Sequence, residues 1–480
     1  MHKRKQYIGR SRILQYVLIL LFLLYLIEYI SLIIFDAVVF SNSTTLDLTI
    51  AIGCSLWYFW QYRRYNILCF ELLFLPIFIL ASFYSDIVLS FISYVEGGGI
   101  GGAFSNTITN SVVIQKSQLV RMIALLLFLL GCIKGNKQKK NASDRWQFPT
   151  KYMHVDYRLM IRVLSILLVL ELIMNYINEN FSTWFSYEIG LSDEERNRGI
   201  GRIEAICLIS TIVEFTRLAR IGVSTFKKTI VKINKLYLLE IIFVSTLLIL
   251  SGNRNEMLLI CLPAIVAYSV FIKPIPNKVI LIGIIVGFAM MVYSGVARQG
   301  RAFSSREMNI YSTTKDFSLV QINCDFLIKY TDDGNLHLFE TLPASILSGI
   351  PYVGPLIVNT LGWDFSSQST YITTDNLAAW EGTGLGTSLV GDLYYNAKLP
   401  FVIIFMYLLG YAVSRSYIRL TAERRYNIWI LVFYIYMVSN AIYFVRQQWD
   451  FPIHDMLYAI ILISVLYYFF RRPQSSFRLT

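Results

Sequence analysis

The chain has 480 residues, 55% hydrophobic and only 15% charged, with 43 Lys and Arg against 31 Asp and Glu and a formal net charge of +12. About 25% of a soluble chain is usually charged, so this deficit leaves too little polar surface for ordinary globular domains and excludes a soluble protein. The pI near 9.2 therefore bears on where the cations lie along a membrane protein, not on nucleic acid.

Measured against the roughly 20 residues that cross a bilayer as a helix, the apolar runs predict twelve spans. They lie near 13–35, 46–61, 66–83, 119–133, 159–177, 203–217, 236–252, 256–272, 279–297, 400–414, 428–445 and 453–470. The first is too long for a signal h-region and lacks a small-residue cleavage site, so it is expected to stay as an anchor. Pro263 is expected to kink the eighth. With the N-terminus inside, the inner segments collect 30 basic and three acidic residues, while the outer ones hold 12 basic and 23 acidic. That bias is what cytoplasmic loops show, so the expected fold is an all-α polytopic membrane protein with both termini cytoplasmic.

The organisation expected is residues 1–297 carrying nine spans, an outer loop over 298–399, three spans over 400–470 and a tail over 471–480. A loop of that length is usually functional or separately folded. It holds an amphipathic stretch from Phe317 to Tyr330 and a broken apolar stretch from Leu342 to Trp363, which predicts partly helical structure lying on or dipping into the membrane surface. There it would cover a lipid-borne substrate or simply cap the bundle. No internal repeat marks a transporter of inverted halves.

Five of the six cysteines lie in apolar runs and only Cys324 in a polar loop, so neither a disulfide framework nor a zinc spacing exists. His2 and His154 fall inside, His337 and His454 outside, and no metal site is expected. Gly97–Gly102 spells G-x-G-x-x-G without the strand and helix a nucleotide would need, and reads as a loop. Gly283 and Gly287 suggest close helix packing. No Walker A motif and no Asp-x-Asp occurs, which argues against a P-loop ATP-driven pump and a metal-dependent nucleotide-sugar transferase. No cofactor is expected.

Two groups of residues remain. On the outer side, arginines oppose the charge bias at span mouths: Arg196, Arg198 and Arg202, then Arg254, then Arg298, Arg301 and Arg306. Guanidinium forks suit phosphate and pyrophosphate oxygens, although nearby acids such as Glu194, Glu204 and Glu256 offer salt bridges instead. The second group is Glu381–Asn396 (EGTGLGTSLVGDLYYN). Its glycines would allow close backbone approach to a ligand, and Glu381, Asp392 and the tyrosines offer a carboxylate base and sugar-stacking faces.

The long outer loop before the third-last span, SGNRNE around Arg254 and G-x-G-x-S-x-x-G-D-x-Y-x-N ending at Asn396 together resemble the O-antigen polysaccharide polymerases of the Wzy type. The patch at Arg254 is also similar to the Ser-Arg-Gly signature of the related O-antigen ligases, with Asn255 where that has Gly. Family members often carry Glu at Asp392, and commonly Asn-Phe-Gly where this chain has Asn396, Ala397 and Lys398. The resemblance covers the whole chain in architecture and these patches in motif.

The resemblance implies a GT-C-like fold in the bacterial inner membrane and transfer of a glycan from undecaprenyl pyrophosphate onto a new lipid-linked repeat unit. Its substrate would be undecaprenyl-pyrophosphate-linked oligosaccharide, amid membrane lipids and with room for a chain-length regulator, but no nucleic acid. Arg254, Arg298 and Arg301 would stabilise the leaving pyrophosphate, with Arg198 and Arg202 secondary, and Asp392 would be the base ahead of Glu381 and His337. An O-antigen ligase and a transporter of lipid-linked sugar are the alternative readings.

Overall fold

The computed structural model describes residues 2–35, 44–62, 68–96, 111–136, 155–178, 200–250, 254–280, 282–283, 310–351, 353–362, 369, 372–373 and 387–470. Among these the ordered elements are helical and no extended strand occurs. In chain order they are α1 (His2–Phe35), α2 (Thr44–Tyr62), α3 (Phe70–Glu96), α4 (Ser111–Gly135), α5 (Tyr157–Ile177), α6 (Ile200–Arg220), α7 (Phe226–Lys232) and α8 (Lys235–Leu250). They continue with α9 (Arg254–Phe271), α10 (Ile310–Asp332), α11 (Leu342–Ser348), α12 (Val353–Leu361), α13 (Leu389–Thr421), α14 (Ile428–Asn440) and α15 (Phe451–Phe469). Five helices are long and apolar enough to cross a bilayer, over Arg12–Ile34, Val112–Gly135, Tyr157–Ile177, Leu389–Thr421 and Pro452–Phe469, and the apolar helices Phe70–Phe83, Met257–Phe271 and Ile428–Asn440 are shorter. The protein is a polytopic membrane protein. The predicted span at 279–297 lies almost wholly outside the described residues.

The core is the pair α4 and α13, and glycine explains their closeness. A Cβ at Gly135 would come within 2.6 Å of the Tyr411 carbonyl oxygen, and one at Gly410 within 3.0 Å of the Cys132 backbone nitrogen. Gly131 faces the Tyr407 carbonyl in the same way. In lipid, where apolar side chains gain little by leaving their surroundings, such backbone contact and its dispersion energy bring helices together. Of the other pair with this spacing, Gly283 would place its Cβ against nothing within 4 Å among the described residues, and Gly287 lies outside them.

Part of the long loop is built into the bundle. Cys324, Leu327 and Ile328 on α10 are fully buried, and α10 packs on α3, α4 and α13. Arg121 Nη1 on α4 lies 3.3 Å from Asp325 Oδ1 on α10 with both side chains enclosed. A charge in this setting demands a partner, because desolvating it alone costs several kcal/mol, of order 3–5 when one member is removed. Gly391 on α13 would place a Cβ 3.0 Å from the Cys324 Cα. Its small size therefore serves the contact between α10 and α13, not approach to a ligand.

Polar contacts mark the two ends of the bundle. At one, the Asp156 N–H donates to the Phe470 carbonyl at 3.3 Å, the Tyr426 and Tyr467 hydroxyls meet at 2.8 Å and Arg415 pairs with Glu423 at 2.9 Å. At the other, the Tyr394 hydroxyl bridges Asp332 at 3.0 Å and Tyr29 at 3.1 Å, while Lys116 pairs with Asp332. The first set comes from segments the charge pattern assigns to the cytoplasm or from span ends beside them. The second comes from the outer segments and the span ends that adjoin them.

Candidate functional site

The site lies where α13 breaks. Pro400 has no N–H to give the Asn396 carbonyl, and the helix opens at Ala397 (φ −155°, ψ 36°) and Lys398 (φ 54°, ψ −156°). Two carbonyls released by that opening are taken up by the loop after α10: the His337 N–H donates to Tyr395 O at 3.1 Å and the Leu338 N–H to Asn396 O at 3.2 Å. The Asn396 side chain completes the joint. Its amide nitrogen donates to Asp392 O at 2.9 Å and its oxygen accepts from the Phe339 N–H at 3.1 Å. Leu338 (φ 49°) and Phe339 (φ 63°) are held in the left-handed region, a conformation that persists only where surrounding bonds enforce it.

This joint brings two of the predicted residues together. Asp392 sits in the first turn of α13, behind the N-cap Ser388, where the helix dipole favours an anion. It is only 2% exposed. Its Oδ2 accepts the Trp449 N–H at 2.9 Å. Ser369 also bonds to it: that hydroxyl accepts from Thr387 at 3.0 Å and Gln448 at 3.3 Å, so its own proton is left for the carboxylate. The His337 ring stacks on Tyr395, with centroids 5.0 Å apart and planes 9° from parallel. Its Nδ1 faces Glu340 at 3.6 Å, while Nε2 is buried with no hydrogen-bond partner. Burial pushes the imidazole below its usual range, with Glu340 and Asp450 opposing.

Asp450, not singled out in sequence, forms the facing wall. It is buried and accepts from Thr341 at 2.9 Å and Ser345 at 2.7 Å, which ties α11 to the start of α15. Trp449 fills the floor, edge-on to Phe339, Phe401 and Phe405 at 5.9, 5.0 and 5.8 Å. The signal for Asp450 was the polar run RQQWD interrupting two apolar runs.

The arginines are placed less completely. Arg202 on α6 is 3.8 Å from Glu171 on α5, with its side chain 42% exposed. Arg254 is the first residue of α9. Between α6, α9, α14 and α15 lies a small cleft, lined among others by Gly201, Glu204, Leu259, Pro263, Tyr436 and Asp455. Arg202 follows the wall residue Gly201 in the chain, and Pro263 forms part of that wall inside a helix that runs on through it. Arg196, Arg198, Arg298, Arg301, Arg306 and Glu381 lie outside the described residues, as does the Gly97–Gly102 run. Among the described residues no group of three or more His, Cys, Asp or Glu could hold a metal ion.

Comparison with curated proteins and with solved structures finds no match. The family model described as O-antigen polysaccharide polymerase Wzy matches residues 13–472, nearly the whole chain, and the chain belongs to that family.

Proposed function

We propose that the chain polymerises lipid-linked oligosaccharide repeat units on the outer side of the cytoplasmic membrane, moving the growing glycan from undecaprenyl pyrophosphate onto a new lipid-linked unit. Family membership carries the coarser part, a role in O-antigen polymerisation by a multi-pass, glycosyltransferase-like membrane enzyme acting on lipid-linked oligosaccharide. The observation that carries the finer reading is the joint at Asn396. It gathers Asp392, His337 and Asp450 at the end of the bundle whose segments the charge pattern assigns to the outside.

In this reading a hydroxyl oxygen of the incoming unit forms a bond to the anomeric carbon of the donor glycan. The bond from that carbon to the pyrophosphate oxygen breaks, and its electron pair leaves with the pyrophosphate. The hydroxyl proton passes to a base, for which Asp392 is the first candidate, with His337 and Glu381 behind it. Arg254, Arg298 and Arg301, seconded by Arg198 and Arg202, would meet the charge that grows on the leaving group in a partly dehydrated site. The donor arrives activated, so neither a nucleotide nor ATP is required.

In a strain lacking the chain, Arg254→Ala and Asp392→Asn should each reach the membrane yet leave glycans one repeat long. Wild-type chain lengths in both variants would defeat the site assignment.

A further inference from the structure

Arg446 is the one outer arginine that the sequence grouping at the span mouths leaves aside, and its setting is unusual. It closes the 3-10 turn Phe444–Arg446 between α14 and α15. The surrounding segment is polar and enclosed: Asn440, Gln447, Gln448 and Asp450 are all buried. Non-helical backbone at this position between two apolar helices is tolerated where it is buried in protein or lines a cavity.

The neighbours satisfy one another. Asn440 donates to Gln447 at 2.9 Å, Gln448 donates to Ser369, Asp450 takes the Thr341 and Ser345 hydroxyls and Asp392 takes the Trp449 N–H. Among the described residues Arg446 is the charged group of this cluster whose partner is missing, beside the unpaired Asn440 Oδ1. Its Nε is enclosed without an acceptor, no carboxylate among the described residues pairs with its guanidinium, and the Tyr443 ring lies 5.9 Å from its Cζ. Asp450, four residues on, would be the obvious salt-bridge partner, and the fold directs it to two hydroxyls instead. A guanidinium that no carboxylate among the described residues engages has donors to offer a ligand, and the geometry of its fork matches phosphate oxygens.

We infer that Arg446 is an anion ligand that binds the pyrophosphate of a polyprenyl-linked glycan donor, an assignment that rests on the polymerase reading for the identity of the donor. The turn carrying Arg446 leads directly into Trp449, whose N–H holds Asp392, so leaving group and base would be held by one segment of four residues.

The test uses the full-length chain, purified, with radiolabelled farnesyl pyrophosphate as the probe and inorganic pyrophosphate or phosphatidylglycerol vesicles as competitors. Arg446→Ala should weaken probe binding about 10- to 100-fold, the loss expected for charge-assisted hydrogen bonds. Arg446→Lys, which keeps the charge and loses the fork, should weaken it less. Inorganic pyrophosphate should compete. Unchanged affinity in both variants would overturn the inference, as would displacement by phosphatidylglycerol vesicles alone. Should Arg446→Ala fail to reach the membrane, Arg446→Lys and Arg446→Gln decide by the same criterion. Probe binding through Arg446 in a chain whose deletion leaves the glycan ladder intact would remove the polymerase reading and keep the anion site. A ladder that needs the chain, with probe binding indifferent to residue 446, would remove only the inference.

Discussion

Asn396→Ala tests the joint that assembles the site. Asn396 is 1% exposed, donates to Asp392 O at 2.9 Å and accepts from the Phe339 N–H at 3.1 Å. Removing the side chain deletes two hydrogen bonds worth about 1 kcal/mol each and strands the Phe339 N–H, whose desolvation adds about 1–3 kcal/mol. A loss of about 3–5 kcal/mol follows, part of which is recovered if Leu338 and Phe339 relax from the left-handed region, a relief of order 1–3 kcal/mol per residue. Either way the His337 turn loses its side-chain tie to α13 and is held there by the two backbone bonds to the Tyr395 and Asn396 carbonyls alone. The measurements are the melting midpoint of the detergent-purified protein and the glycan ladder of the complemented strain. Both should change: a lower midpoint, and chains collapsing toward one repeat in a protein still present in the membrane. A variant with the wild-type midpoint and a full ladder would refute the reasoning.

Three further outcomes follow from the same structure. Gly410→Leu must force α13 off the Phe128 carbonyl and the Cys132 nitrogen, so it should cost more than the about 1–3 kcal/mol of ordinary overpacking, read as a lower yield of folded protein. Arg121→Leu leaves Asp325 buried without its cation and should destabilise by about 3–5 kcal/mol, with Arg121→Leu/Asp325→Leu recovering most of the loss in the melting midpoint. His337 has a folded pKa below the ordinary 6.5, so the unfolded chain binds the proton more readily. Its contribution to stability is full above about pH 6.5 and is lost as pH falls through the folded value, and His337→Gln should flatten that slope in a melting series from pH 8 to pH 5.

Much of this was legible in the residues, and what was not has identifiable causes. Apolar length located the helices, since lipid imposes one period and one minimum run. Helix ends were less readable. The run ending at Val445 reads as continuous span, yet α14 stops at Asn440 and the chain turns through Phe444–Arg446, because the apolar side chains of Phe444 and Val445 pack as well from a 3-10 turn as from a helix. The motif at Glu381–Asn396 pointed to Asp392, but that its last eight residues form the first turns of α13 was hidden by Pro400, which signals a boundary and here marks a break inside a longer helix. Gly131 and Gly135 carry the same G-x-x-x-G spacing as Gly283 and Gly287; only the partner helix distinguishes a glycine that is crowded from one that is not. Asp450 and Arg446 needed the structure, because their meaning lies in which neighbours they pair with.

The central claim is tested most directly by reconstituting the purified protein with a synthetic undecaprenyl-pyrophosphate-linked repeat unit and sizing the products. The account predicts chains of several repeats still attached to carrier, with one undecaprenyl pyrophosphate released for each linkage formed and none of either with Asp392→Asn. Products that never exceed a single repeat with the wild-type protein, while lipid A core added to the mixture becomes glycosylated, would contradict it.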